Sequence, residues 1–461
     1  MVISESKLDI KAEIALQREF FATGKTKSYE FRKTQLEKLE RLIKEHDQII
    51  LDALHQDLRK PAIEAFGSEV LVTTSEIKYI LKHLRAWMKP QKVSTPLNLF
   101  PSSSYIHTEP LGVVLIVAPW NYPFSLTIQP LLGAIAAGNC AILKPSEHTP
   151  NTSRVIAQII NNNFDPSFIT VIEGGIETNQ ALLAEKFDHI FFTGGTAIGK
   201  IVMAAAAKHL TPVTLELGGK SPCIVDATCD LEITAKRIIW GKFYNCGQTC
   251  IAPDYLLVQK SIKPILLEKL ISYIKTFFGD NPQQSADLGR IVNERQFDRL
   301  VGLLDEGKIL IGGQHDRGDR YIAPTLIDQV SPDAKVMADE IFGPILPILE
   351  YDQIEEAIAL VNAQPKPLAL YLFSKNEQLQ QRIVQEVAYG GGCFNDIILH
   401  VGNPELPFGG VGNSGIGNYH GKASFDTFSH RKSILKNSFR FDLKWRYPPY
   451  TMSLETLKKF I

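Results

Sequence analysis

The stretch that begins at Val113 constrains the fold of this chain more than any other. Val113-Val114-Leu115-Ile116-Val117 is an unbroken apolar, β-branched run, the pattern of a strand buried on both faces of a sheet. Pro119 ends it, and a helix is expected from Phe124 to Ala137 with Gly138 at its C-terminal cap. A second apolar strand follows from Cys140 to Lys144. Strand, helix and strand within about 30 residues make a parallel βαβ unit. The alternation continues, with strands expected near Ile169 to Ile172, His189 to Thr193 and Val213 to Leu217, and a helix from Ile198 to Lys208. It restarts beyond Gly218-Gly219 with strand Cys223 to Val225, helix Asp230 to Phe243, strand Leu256 to Val258 and helix Lys263 to Phe277. Strands near Leu346 to Leu349, Leu368 to Phe373 and Gly392 to Phe394 complete the series. The fold class is α/β, with two parallel-sheet lobes, a boundary near Gly218 and a ligand expected in the cleft between them.

The rest of the chain fits around these lobes. Glu30 to Gln56 and Glu64 to Trp87 read as amphipathic helices, while Lys89 to Tyr105, with three prolines and a serine run, reads as a link or an extended excursion. A length of 461 residues exceeds one ordinary core. Lys plus Arg number 49 against 50 for Asp plus Glu, so no field of either sign recruits nucleic acid or an anionic bilayer. The six cysteines include no C-x-x-C pair, and no H-x-x-x-H occurs. Reduced thiols in a cytoplasmic protein without a metal are expected. Met1 to Leu16 alternates apolar and charged residues, unlike a signal peptide. No apolar stretch approaches the roughly 20 residues of a membrane span. The tail from Ser453 to Ile461 mixes Leu454, Leu457, Phe460 and Ile461 with Lys458 and Lys459; it either grazes a membrane surface or packs on its own or a partner subunit, and packing is the expected use.

Two glycine patterns imitate phosphate loops. Gly410-Val411-Gly412-Asn413-Ser414-Gly415 fits G-x-G-x-x-G, but no strand precedes it and no helix follows directly, so it reads as a flexible loop. Gly194-Gly195-Thr196-Ala197-Ile198-Gly199-Lys200 fits G-x-x-x-x-G-K, but Ile201 stands where a nucleotide-hydrolysing loop needs Ser or Thr for magnesium. This second pattern follows a strand and opens a helix. Either its amides meet a dinucleotide, or its glycines make a tight turn.

Two residues carry the chemistry. Cys250 lies in Asn245-Cys246-Gly247-Gln248-Thr249-Cys250-Ile251, a polar loop after an apolar helix, where a side chain is presented rather than packed. Cys140, Cys223 and Cys393 sit in strand-like contexts and read as structural; Cys246 is either a neighbour of the site or a buried support. Glu216 interrupts the apolar end of a strand, Val213-Thr214-Leu215-Glu216-Leu217-Gly218-Gly219. A carboxylate there is either salt-bridged or a general base.

Six segments together resemble the aldehyde dehydrogenase superfamily: Ala118-Pro119-Trp120-Asn121-Tyr122-Pro123, Lys144-Pro145-Ser146-Glu147, Phe192-Thr193-Gly194-Gly195-Thr196, Leu215-Glu216-Leu217-Gly218-Gly219-Lys220, Gly247-Gln248-Thr249-Cys250 and Glu340-Ile341-Phe342-Gly343-Pro344. The compact N-terminus, Asn413-Ser414-Gly415 and Trp445-Arg446-Tyr447-Pro448-Pro449-Tyr450 resemble its class 3, fatty-aldehyde-type branch. The resemblance implies a modified Rossmann cofactor lobe (residues 1–90 and 107–217), a catalytic lobe (218–412), oligomerisation segments (91–106 and 424–440) and a C-terminal tail (441–461). It implies NAD or NADP as cofactor, held by Trp120, Lys144, Glu147, the turn Gly194, Gly195, Thr196 and Gly199, and Glu340 and Phe342. Cys250 would attack the aldehyde, Asn121 and the Cys250 amide would hold the oxyanion, and Glu216 would activate the hydrolytic water. The implied substrate is a medium- or long-chain aliphatic, isoprenoid or aromatic aldehyde, and the implied assembly a homodimer. Some enzymes of this branch end in a hydrophobic anchor; ending at Ile461, this chain is expected to lack a permanent one. A coenzyme A-dependent acylating enzyme and a catalytically silent binding protein on the same scaffold are the alternatives; Glu216, a base for hydrolysis, speaks against the first, and an intact Cys250, Glu216 and Asn121 set against the second.

Overall fold

The computed structural model describes residues 9–442 and 444–458. The first eight residues of the N-terminal stretch and Lys459, Phe460 and Ile461 of the tail lie outside the described residues. Six strands form the first sheet, in the order Gly415–Ile416, Val213–Glu216, His189–Thr193, Val113–Val117, Cys140–Lys144, Ile169–Val171. All its pairings are parallel except that of Gly415–Ile416, which runs antiparallel to the strand of Glu216. Numbered by chain position, the five parallel strands lie in the order 3-2-1-4-5, the doubly wound arrangement. Its switch point falls between Val113–Val117 and His189–Thr193, where ligands bind at the carboxyl ends of strands. The helix Ser125–Ala137 ends at Gly138 in the left-handed conformation, φ 92°, as the glycine there requires.

The second sheet has seven strands, in the order Lys308–Ile311, Thr325–Asp328, Ile345–Tyr351, Tyr255–Gln259, Pro222–Val225, Ala369–Phe373, Gly391–Phe394. Only the Lys308–Ile311 edge is antiparallel. Each sheet has its own core, and the change from one to the other falls between Leu217 and Cys223. A third, antiparallel sheet joins Gln91–Val93, Ser103–Pro110 and Ser429–Lys436; the excursion read from Lys89 to Tyr105 is therefore part of a sheet.

The stretch beyond Phe394 departs from the sequence expectation. Beyond the second lobe it returns to the first: Tyr419, Phe425 and Phe428 are buried in the first core, and the helix Gly421–Thr427 packs on Ser125–Ala137. The segment expected to leave the lobe at Ser424 does so only at Ser429. The glycine-rich stretch Gly410 to Gly415 is likewise no flexible loop. Leu217 N–H donates to Ser414 O at 3.1 Å, and a side chain on Gly410 would collide with the Ser414 backbone. Periodicity also misses two breaks. The helix read from Glu30 to Gln56 divides at His46 into Tyr29–Glu45 and Asp47–Leu58, and that from Glu64 to Trp87 contains a π-turn at Phe66–Leu71.

That π-turn carries the buried carboxylate on which the site rests. Glu69 Oε1 pairs with Lys60 Nζ at 2.6 Å, with both side chains fully buried. Glu69 Oε2 accepts from the amides of Phe124 and Ser125, at 3.0 and 2.9 Å, the unsatisfied N–H groups that open the Ser125–Ala137 helix. Lys60 Nζ also donates to Asn121 O at 3.2 Å and lies 4.2 Å from the centroid of the Tyr122 ring. One ion pair thus holds the turn from Asn121 to Ser125. Glu69→Ala strands the Lys60 charge and frees two buried amides, and should destabilise the protein by about 3–5 kcal/mol. Denaturant unfolding measures this; a loss below 1 kcal/mol would remove the pair from its anchoring role.

Candidate active site

The loop that presents Cys250 is rigid. Asn245, Cys246 and Gly247 are all left-handed, with φ of 51°, 54° and 74°, and a side chain on Gly247 would strike the backbone of Gly343. The polar residues around Cys250 are packed, contrary to expectation: Asn245, Gln248 and Thr249 are buried. Gln248 Nε2 donates to Arg290 O at 2.9 Å, and its Oε1 accepts from Val292 N–H at 3.0 Å. Asn245 Nδ2 donates to Asn121 O at 2.8 Å, and Thr249 Oγ1 bonds the Tyr122 hydroxyl at 2.6 Å. Polarity here serves an interior hydrogen-bond frame, and only Cys250 is left half-exposed at the loop's end. Cys246, whose two readings stood open, is buried and lines neither cavity described below.

Two cavities meet at that sulfur. The first, about 540 Å³, opens at the carboxyl end of the first sheet and is lined by Trp120, Asn121, Gly194, Gly195, Thr196, Glu216, Gly218, Cys250, Arg299, Glu340 and Phe342, among others. The second, about 450 Å³, has largely apolar walls that include Leu71, Val72, Trp240, Ile398, Val401 and Phe408. Leu126, Thr193, Glu216, Leu217 and Cys250 line both.

Glu216 ends its strand 2% exposed, and neither carboxylate oxygen has a hydrogen-bond partner. Burial holds its carboxyl well above the ordinary range. The salt-bridged alternative is therefore removed: among the described residues no cation pairs with it. Burial also pushes the Cys250 thiol up, with smaller contributions from the Glu340 and Glu216 carboxylates, while the amides of Cys250 and Ile251 pull it down. Asn121 is buried and donates through Nδ2 to Gln248 O at 3.0 Å, leaving one amide hydrogen for the cleft. Glu340 lies against Gly218, where a side chain would overlap its carboxylate, and burial raises its carboxyl as well. Trp120 and Phe342 meet edge to face, centroids 5.2 Å apart.

The first cavity suits a dinucleotide. The helix Thr196–Ala207 has no side-chain cap at Gly195, so its first amides are free for a pyrophosphate. A side chain built on Gly195 would meet nothing within 4 Å. Gly199 does not line the cavity; a side chain there would come 2.6 Å from Leu217 Cδ2, so this glycine serves helix packing. Lys144 and Glu147 line neither cavity. Lys144 Nζ is turned to Pro145 O, at 2.7 Å, and to Glu147 Oε2, at 3.1 Å, at the end of the strand beside Val113–Val117.

The second cavity contains residues the sequence reading passed over: Glu76, Gln129, Tyr419 and His420. One signal was available. Glu69 and Glu76 stand seven residues apart, on the face that buries Val70, Ile77, Ile80 and Leu84, and carboxylates on the core side of an amphipathic helix are exceptional.

The aldehyde dehydrogenase family model matches residues 2–434. The chain belongs to the aldehyde dehydrogenase family. It is 52% identical over 443 residues to 4,4'-diaponeurosporen-aldehyde dehydrogenase of Staphylococcus aureus (strain NCTC 8325 / PS 47), covering 96% of each chain. A rat (Rattus norvegicus) relative named "Aldehyde dehydrogenase, dimeric NADP-preferring" is 50% identical over 434 residues, covering 94% of this chain and 96% of its own. A solved structure, the substrate-bound state of Staphylococcus aureus AldH, matches with a TM-score of 0.95 and 51% identity over 98% of this chain and 99% of that one. Relatives named as family 3 members place the dehydrogenase in the class 3 branch. It is an oxidoreductase that oxidises aldehydes with a nicotinamide dinucleotide, on the two-lobed α/β fold read from the sequence. Among its described residues no group of three or more His, Cys, Asp or Glu side chains could hold a metal ion.

Proposed function

We propose that this dehydrogenase converts apolar aldehydes to carboxylic acids through a thioester on Cys250, with Glu216 as the base. The observation that carries the reading is that Cys250 and Glu216 line both cavities, one suited to a dinucleotide and the other walled by apolar side chains. The thiol gives its proton to solvent in the cleft, and the sulfur attacks the carbonyl carbon. Cys250 stands in a loop that leads to a strand and not at the start of a helix; the Cys250 and Ile251 amides favour its thiolate. The charge that grows on oxygen is met by Asn121 Nδ2–H and the Cys250 N–H. When bound, the nicotinamide accepts the hydride. Glu216 then draws a proton from water, which adds to the thioester carbon and expels the Cys250 sulfur as the acid forms.

Glu340 and Phe342 would hold the nicotinamide end, Trp120 its flank, and Gly194, Gly195 and Thr196 the pyrophosphate. Lys144 and Glu147 would face the adenosine ribose, and their mutual pairing at 3.1 Å favours use of both NAD and NADP: the cation tempers the repulsion that Glu147 exerts on a 2′-phosphate. A homodimer built on the Ser429–Lys436 edge, where Ile434 and Leu435 are exposed, matches the rat relative's printed description. No helix among the described residues is long and apolar enough to cross a membrane, and six free cysteines fit a cytoplasmic setting.

The test is turnover of straight-chain aldehydes of increasing length with each dinucleotide, with and without coenzyme A. Free acid and reduced dinucleotide should form in equal amounts without coenzyme A. Each added methylene should raise kcat/KM a few-fold until the cavity is filled, since a buried methylene contributes about 0.8 kcal/mol. A requirement for coenzyme A would make the enzyme an acylating one, and no turnover with any aldehyde would make it a silent binding protein.

A further inference from the structure

We propose that the apolar cavity carries in its wall a hydrogen-bonding subsite at His420 Nε2, which takes a hydroxyl group borne on the hydrocarbon chain of the aldehyde. This rests on the reading of Cys250 as the point of oxidation. His420 and Glu76 are each 3% exposed, and both line the cavity beside Gln129. His420 Nδ1 lies 3.2 Å from Glu76 Oε2. The same carboxylate accepts from Gln129 Nε2 at 2.9 Å and from the Gly421 amide at 2.9 Å. With both its oxygens accepting, Glu76 acts as the acceptor, so Nδ1 carries the hydrogen.

That leaves the opposite nitrogen. His420 Nε2 is buried and has no hydrogen-bond partner, between the Tyr419 ring at 4.2 Å and the Phe408 ring at 5.6 Å, centroid to centroid. The bonds of Glu76 account for a structural tie, since they join the helices Val72–Trp87, Ser125–Ala137 and Gly421–Thr427. Nothing in that tie uses Nε2, and an orphaned buried polar atom is unfavourable unless a ligand completes it.

The chemistry of the missing partner follows from the ring. With Nδ1 protonated, Nε2 accepts a hydrogen bond in the neutral imidazole and donates one in the imidazolium. A hydroxyl answers either state. A carboxylate would add a second negative charge beside Glu76 in an apolar enclosure. The neighbouring walls, Leu71, Val72, Trp240 and Ile398, would take the methylenes between the two ends. The ligand class is therefore a long apolar aldehyde with a hydroxyl at a set distance from the carbonyl.

Paired kinetics decide the matter. Straight-chain aldehydes from six to sixteen carbons, in order-of-magnitude steps of substrate concentration, are compared with the ω-hydroxyaldehydes of the same lengths. In the wild-type enzyme kcat/KM for the hydroxylated member should exceed its plain counterpart roughly tenfold or more within a narrow window of length, because a site built to bond a hydroxyl rejects the analogue lacking it. In His420→Phe the ratio should fall to near one. A wild-type ratio near one at every length, or a ratio unchanged in His420→Phe, overturns the subsite while leaving the oxidation on Cys250 intact. A structural role alone would alter both series together and leave the ratio as it was. Absence of turnover in both series overturns the subsite and the oxidation reading together.

Discussion

Cys250→Ser is expected to yield a protein that folds and binds dinucleotide but oxidises aldehyde slower by a factor on the order of 10³ or more, the scale set by loss of a covalent nucleophile. A serine hydroxyl ionises far less readily than a thiol. The substitution changes little else. The Cys250 side chain lines the junction of the two cavities, and a serine is nearly its equal in size, so stability should move by about 0.5 kcal/mol or less. Steady-state assays beside a dinucleotide titration separate the two effects. Turnover within tenfold of wild type would take Cys250 out of the reaction, and a loss of dinucleotide binding would mean that the change had damaged the cleft.

Glu216→Gln should separate the two halves of the reaction. The first turnover should release about one equivalent of reduced dinucleotide per site, after which the enzyme stalls as the thioester, with steady-state kcat lowered roughly 10²–10⁴-fold, the range for removal of a general base. Rapid mixing reads both phases. A slow first turnover without a burst would place the carboxylate before hydride transfer, as the acceptor of the Cys250 proton. The wild-type steady-state rate should rise with pH through a value well above the usual carboxylate range, because the buried carboxyl must ionise to act. Stability follows the opposite direction. A raised folded-state pKa gives stability that is full below the ordinary carboxylate value and is lost as pH rises through the higher one. The glutamine variant should lack both trends.

The strands of both lobes were legible because each is buried on two faces, which leaves a continuous apolar run; Val113–Val117 and Cys140–Lys144 are read to the residue. Local patterns do not report where a buried polar residue points. The polarity of Asn245, Gln248 and Thr249 suggested an open loop, yet each finds its partners inside. The same limit hides distant partners. Glu76 and His420 are 344 residues apart, and nothing in the neighbourhood of either announces the other. Glycine is ambiguous for another reason. The missing side chain of Gly195 leaves room for a ligand, and that of Gly199 leaves room for Leu217; only the surroundings tell them apart. The two-residue strand Gly415–Ile416 is too short for any periodicity, so the return of the chain to its first lobe left no trace in the sequence pattern.

That return has a consequence for biosynthesis. Gly415 is the register partner of Glu216, and without it the strand that ends at the base would be a bare sheet margin. Nearly two hundred residues of the second lobe must leave the ribosome before this last neighbour arrives. A growing chain that already carries the proposed nucleophile thus still lacks the strand that pairs beside the proposed base.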